Sequence, residues 1–175
     1  ATVDEITRLR LFVEEEHARL VGEGLDVAMP PLGIMIEVPA AALSADLLAR
    51  HVEFLSLGTN DLTQYTLAID RTNEKVADLY DHLNPAVLRL VQFSVAAAER
   101  ASIPITICGE MAGDPSLTRL LMGLGITEFS MVPRSLPEVK EQIRKANRAQ
   151  LMAEVAMLMA EGDRDAIAGF VGSTT

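Results

Sequence analysis

Residues able to do chemistry cluster at four places in this 175-residue sequence: Glu37, Asn60-Asp61, Asp70-Arg71 and Cys108. Two carboxylates brought to one point suit Mg²⁺, a hard cation that takes a few carboxylate oxygens and completes its octahedron with water and substrate oxygens. Helix N-capping and loop solvation are the competing uses of Glu37 and Asp61. The Arg71 guanidinium can grip a phosphate or carboxylate with two parallel N–H bonds, or form a surface ion pair. An unperturbed thiol keeps its proton at neutral pH, so Cys108 can hand one to a carbanion, and Gly109 beside it lets the backbone approach a ligand. The alternative for Cys108 is a small core filler. No Ser/His/Asp set points to nucleophilic catalysis, and His17, His51 and His82 read as structural or solvated. The eight methionines are scattered as core residues usually are.

These residues need elements to hold them. Thr2 and Glu5 stand at capping-box spacing, and Ile6, Leu9, Phe12 and Val13 recur at helical spacing, which predicts a helix from Thr2 to about Glu23. The apolar runs Leu32–Ile36, Val52–Leu57, Ile103–Ile107 and Ile126–Met131 predict four strands buried on both faces. Between them lie an Ala/Leu-rich helix over 40–51 and a polar loop with short helical stretches down to Asp81. Asn84-Pro85 is an N-cap followed by Pro at the first helical position, and Val87, Leu90, Val91, Val95 and Ala98 form the stripe of the helix it opens. Asp114-Pro115 opens another, with Leu117, Leu120 and Leu121 inward and Gly125 at its end. Ser135 and Glu138 frame a further capping box for a helix to about Asn147. Residues 151–175 start helical and turn Gly/Ser/Thr-rich, which predicts a frayed tail.

Strands alternating with helices make this an α/β fold with a parallel sheet. Glu37, Asn60-Asp61 and Cys108 then follow the carboxyl ends of three strands, where α/β folds collect their reactive groups. An open doubly wound sheet and a (β/α)₈ barrel both satisfy the pattern. A complete barrel typically needs about 250 residues and eight strands, so four strands are half of one.

The formal net charge of −10 disfavours a polyanion such as nucleic acid, and a phosphate-bearing ligand would need a local cation or metal. A single cysteine cannot form an internal disulfide, which fits a reducing, cytoplasmic setting. No apolar run approaches the roughly 18–20 residues of a membrane span, and Ala1–Arg10 lacks a signal-peptide pattern. An opening straight into helical pattern without Met is what a piece of a longer protein would show; a soluble protein with its Met removed is the alternative.

Four motifs are more specific than spacing. Gly33-Ile-Met-Ile-Glu-Val-Pro-Ala40, Gly58-Thr-Asn-Asp-Leu-Thr-Gln-Tyr65, Asp70-Arg71 and Cys108-Gly-Glu-Met-Ala-Gly-Asp114 occur in this order. Together, over residues 1–147, they resemble the phosphoenolpyruvate-utilising enzymes, and among these enzyme I of the sugar phosphotransferase system. The resemblance implies the C-terminal half of a (β/α)₈ barrel over residues 1–150, with a helical lead-in, followed by a C-terminal helix and tail over 151–175. It implies Glu37 and Asp61 as Mg²⁺ ligands, Asn60, Asp61 and Arg71 as substrate-binding residues, and Cys108 as the acid that protonates C3 of the enolate. It further implies transfer of a phosphoryl group from phosphoenolpyruvate to a histidine in a separate N-terminal domain and on to a histidine-containing phosphocarrier protein, with release of pyruvate. None of the three histidines here sits in that domain's motif, and Arg8 and Arg10 do not replace the arginines that the family draws from the first half of its barrel. The chain alone is therefore expected to be inactive, and its open sheet edges and apolar barrel interior to drive homodimerisation or higher self-association. A fragment of phosphoenolpyruvate synthase or pyruvate phosphate dikinase, which need ATP, and a non-catalytic dimerisation module are the alternatives.

Overall fold

A parallel four-stranded sheet, in the order β1-β2-β3-β4, organises the computed structural model, which describes residues 2–173. Its strands are β1 (Gly33–Ile36), β2 (Phe54–Gly58), β3 (Ile105–Cys108) and β4 (Glu128–Phe129). Each neighbour in space is the next strand in sequence, with Met35 opposite Ser56, Ser56 opposite Thr106 and Gly58 opposite Cys108. Helices return the chain between strands: α2 (Pro39–Leu43) and α3 (Ala45–Leu48), then α4 (Thr59–Leu67) and α5 (Pro85–Ala101), then α6 (Glu110–Gly113) and α7 (Thr118–Gly123).

The lead-in helix α1 (Val3–Gly22) starts as its sequence predicts, with Thr2 Oγ1 accepting from Glu5 N–H and the Glu5 carboxylate accepting from Thr2 N–H. Its apolar stripe is used only at one end. Ile6 is buried, whereas Leu9 and Phe12 stay exposed. Arg10 ties the helix down instead, donating to the His51 carbonyl and to Glu53, whose other oxygen accepts from Leu32 N–H.

Two-sided burial of the strands is not observed. Side chains of a strand alternate between faces, and here one face alone is covered. Ile36, Leu55, Leu57, Ile105 and Ile107 turn toward the helices and are buried, together with Leu48, Leu88, Val91 and Leu120 in one core. The other face carries Met35, Phe54, Ser56, Thr106 and Cys108, of which Met35 is 49% exposed. It is therefore a mixed surface of thioether, ring, hydroxyls and thiol, and not the apolar barrel interior expected.

Other differences are local. The polar stretch after β2 is not a loop at first, because Thr59 continues directly into α4. Asp114 does not cap a helix beginning at Pro115; it accepts from Ser116 N–H and Oγ in a turn, and α7 starts at Thr118. The fourth strand is two residues long, since its ladder has β3 on one side and no further strand among the described residues on the other. Ser135 makes no cap bond at the start of α8 (Leu136–Lys145), which follows a single 3₁₀ turn. Asn84, by contrast, accepts from Ala86 N–H as an N-cap should. Residues 148–172 form two helices, α9 (Arg148–Glu161) and α10 (Arg164–Gly172), which bury Val155, Met159, Ile167 and Val171 in the common core. The tail expected to fray is helical as far as Gly172, and Thr174 and Thr175 lie outside the described residues.

Candidate active site

The sheet's carboxyl edge is built around two glycines. At Gly109 φ is +89°, a conformation that residues with a Cβ rarely adopt, and a Cβ there would lie 2.6 Å from Thr59 Oγ1 and 2.7 Å from Asn60 Oδ1. The missing side chain lets the turn after β3 press against the first turn of α4. Two bonds lock that contact: buried Thr59 donates from Oγ1 to the Cys108 carbonyl (2.7 Å), and Glu110 N–H donates to Asn60 Oδ1 (2.9 Å). With its oxygen so occupied, Asn60 keeps its NH₂ for an external acceptor.

Gly58 makes room on the other side. A Cβ there would sit 3.0 Å from Glu37 Oε2, so the absence of a side chain at the end of β2 is what accommodates the Glu37 carboxylate at the end of β1. Asp61, in the first turn of α4, has Oδ1 3.5 Å from Arg71 Nη2, with both side chains about a third exposed (37% and 36%). Arg71 is held by its backbone N–H on Gln64 Oε1. Its sequence neighbour Asp70 is engaged with Thr72, whose hydroxyl and N–H hold that carboxyl below the usual range.

Cys108 sits half-buried at the end of β3. Its Sγ donates to the Leu57 carbonyl at 3.2 Å, and the Ser56 hydroxyl lies 3.9 Å from the sulfur. A cavity of about 500 Å³ opens beside it, lined among others by Asn60, Cys108, Gly109, Glu110, Asp114 and Arg134. Asn60 and Cys108 thus meet in one cavity. Asp61 and Arg71 pair with each other nearby in sequence and structure. Glu37 lines a separate cavity of about 370 Å³ with Met35, Ile6 and Leu48.

Among the described residues no three His, Cys, Asp or Glu side chains come together as a metal cluster. Glu37 follows β1, and Asp61 lies in the first turn of α4, just after the neighbouring strand β2. Two carboxylates are nevertheless donor chemistry that suits Mg²⁺, which needs few protein carboxylates and fills its remaining positions with water and substrate oxygens.

The sequence reading missed a second layer behind these residues. Tyr80 donates from its hydroxyl to the Asn60 carbonyl at 2.8 Å and meets the His82 ring edge-on, with centroids 4.9 Å apart. His82 Nδ1 lies 3.0 Å from Thr63 Oγ1, and burial pushes the imidazole below the ordinary histidine range. Burial likewise pushes the Tyr80 phenol up. The segment 77–84 carries no periodicity, and only the Asn84-Pro85 helix start marks where it ends. His17 stands apart, donating from Nε2 to the Val27 carbonyl.

Known proteins match this sequence. The profile of the PEP-binding domain of PEP-utilising enzymes matches residues 1–148. A phosphoenolpyruvate-protein phosphotransferase of Priestia megaterium is 42% identical over 175 residues, which is 99% of this chain and 30% of that protein. The one from Cupriavidus necator is 55% identical over 130 residues, 74% of this chain and 22% of the relative. A multiphosphoryl transfer protein of Xanthomonas campestris is 48% identical over 158 residues, 89% of this chain and 18% of the relative. The chain spans no more than about a third of the length of these curated relatives. With the domain profile covering more than four-fifths of its residues, the chain belongs to the PEP-utilising enzyme family and matches its PEP-binding domain.

Proposed function

We propose that this chain is the phosphoenolpyruvate-binding part of a phosphoenolpyruvate-protein phosphotransferase, enzyme I, and works at the carboxyl edge of its sheet. The observation that carries the reading is the lock between α4 and the turn after β3, which sets a donor amide, Asn60, beside a thiol, Cys108, at one cavity. The sequential order of four parallel strands, with helices on one face, supports the C-terminal half of a (β/α)₈ barrel over residues 1–150, with residues 151–175 as a helical extension.

Asn60 and Arg71 bind the substrate's phosphate and carboxylate oxygens, Arg71 exchanging part of its contact with Asp61 for the more highly charged ligand. Glu37 and Asp61 would hold Mg²⁺, which when bound withdraws charge from the phosphoryl oxygens as the P–O bond breaks. The phosphoryl group passes to a histidine in a separate N-terminal domain and on to a histidine-containing phosphocarrier protein. The electrons of the broken bond leave an enolate, and the Cys108 thiol gives its proton to C3, yielding pyruvate. The Leu57 carbonyl and the Ser56 hydroxyl hold the sulfur in place for that step. The remaining arginines of the family's site belong to the first half of the barrel, so this segment alone is inactive and works in a homodimeric, cytoplasmic parent.

The test uses the full-length phosphotransferase carrying this segment. Asp61→Asn is expected to lower metal-dependent, nucleotide-independent phosphotransfer by about 10²–10³-fold, as loss of a charge-stabilising group at a reacting centre does. Cys108→Ala is expected to cut pyruvate formation by about 10²-fold or more while phosphoenolpyruvate still binds. Wild-type turnover in Asp61→Asn would remove the metal assignment. Equal losses of binding and turnover in Cys108→Ala would make that residue a packing group.

A further inference from the structure

Nε2 of His82 is the one side-chain nitrogen or oxygen among the described residues that is sealed from solvent and lacks a hydrogen-bond partner. Buried polar atoms are nearly always satisfied, so an orphan points to a contact made in another state of the molecule. The opposite nitrogen, Nδ1, lies 3.0 Å from the hydroxyl of Thr63, which is fully buried on α4. A neutral imidazole carries one proton, and the bond at one nitrogen decides which nitrogen has it. The Glu110 carboxylate, which can only accept, faces Nε2 at 4.0 Å and favours the proton there, which leaves Nδ1 to accept from Thr63. Burial pushes the ring below the ordinary histidine range, against the pull of Glu110, Asp81 and Asp114.

The Glu110 side chain is 75% exposed and is free to close the gap. About 1 Å of travel brings it to hydrogen-bond distance. It also lines the cavity beside Cys108, so an anion entering that cavity repels its carboxylate toward His82. Glu110 is two residues from Cys108, and its backbone N–H is already held by Asn60. One contact at Glu110 therefore acts on the thiol and the amide together.

We propose that His82 is a positioning residue for the active-site turn: its Nε2–H captures the Glu110 carboxylate when an anionic substrate fills the cavity, and so fixes Cys108 relative to Asn60. No proton is transferred by His82 in this role. The assignment rests on the phosphotransferase reading and adds a residue to it.

Two substitutions in the full-length phosphotransferase separate this role from simple packing. In His82→Gln the side-chain NH₂ falls near the place of Nε2; in His82→Asn it falls near that of Nδ1. His82→Asn and Glu110→Ala are each expected to lower kcat for pyruvate release about tenfold or more, the size of effect that misplacing reacting groups produces. His82→Gln should stay within about threefold of the parent, and the KM for phosphoenolpyruvate should move little in all three. The His82→Asn/Glu110→Ala double variant should be no worse than either single one. Equal activity of the Gln and Asn variants, or additive losses in the double variant, would overturn the proposal. Should His82→Asn not fold, ¹⁵N NMR of the imidazole in the unsubstituted protein decides: a proton on Nε2 is expected, and one on Nδ1 overturns the assignment. Absence of phosphoenolpyruvate-dependent pyruvate release from the parent would instead remove the phosphotransferase reading, and the NMR result would still decide the His82 contact.

Discussion

The two faces of the sheet divide the labour of the molecule. On one, Ile36, Leu55, Leu57 and Ile107 have no exposed surface and pack under the helices. On the other, Ser56, Thr106 and Cys108 remain partly open and hydrogen-bond to one another's strands. Adjacent residues on β2 thus have different duties: Leu57 supplies packing with its side chain, and its carbonyl holds the thiol that Ser56 flanks. A stable scaffold can carry reactive groups because the alternation of a strand keeps the two kinds of residue apart.

The sharpest way to break this comparison is to truncate neighbours on opposite faces. Leu57→Ala leaves a cavity in a close-packed core and is expected to cost about 2–5 kcal/mol of stability. Ser56→Ala loses one long contact to sulfur and is expected to stay within about 0.5 kcal/mol. Urea unfolding with an unchanged slope reads both. Similar costs at the two positions would mean that the uncovered face also carries core packing.

Much of the covered face was legible because short aliphatic runs bounded by Gly, Pro and polar residues can only be buried strands here. Those runs read equally on both faces, however, and the polar members Ser56, Thr106 and Cys108 reveal their exposure only once the pairing of Met35 with Ser56 and Ser56 with Thr106 is known. The site divides in the same way. The meeting of Asn60 and Cys108 at one cavity was legible because both follow strand ends. The contacts of Tyr80 and His82 with Asn60 and Thr63 were not, because they span 20 and 19 residues through an irregular segment and leave no local pattern. Gly109 was legible as a close-approach residue, though what approaches it first is the protein's own Thr59 and Asn60, and not a ligand.

The helices that cover the sheet offer a smaller test, because two residues with the same sequence signature behave differently. Asn84 and Ser135 both precede helices as good capping types, yet only Asn84 makes the bond. Asn84→Ala is expected to cost about 1 kcal/mol, and Ser135→Ala no more than a few tenths, roughly the range for lost and absent caps. Thermal unfolding of the two variants side by side measures the difference. Equal shifts would mean that composition at a helix start, and not the bond, sets the contribution of α5 and α8.

The finest distinction is between the surface carboxyls and the half-buried layer behind Asn60 in their response to acid. Several carboxyls are held below their ordinary range: Asp81, where burial works upward but Arg164 prevails, and the surface groups Glu5, Asp70 and Glu141. Their contributions are present above the ordinary values of 3.8 and 4.5 and are lost only as pH falls beneath them. The window for His82 opens at a higher pH. Its ring is held below 6.5 by burial, so just under that pH the unfolded chain binds a proton that the folded chain refuses. Stability therefore falls as pH drops through 6.5 toward the lower folded value, with Glu110, Asp81 and Asp114 softening the effect and Arg71 adding to it. Unfolding midpoints measured at pH 7.5 and pH 5.5 should decline in the parent and decline less in His82→Gln, which has no ring to protonate (pH values about one unit either side of the ordinary histidine range). An equal decline in both proteins would mean that the acid-sensitive group lies elsewhere, and that the layer behind Asn60 takes up a proton without strain.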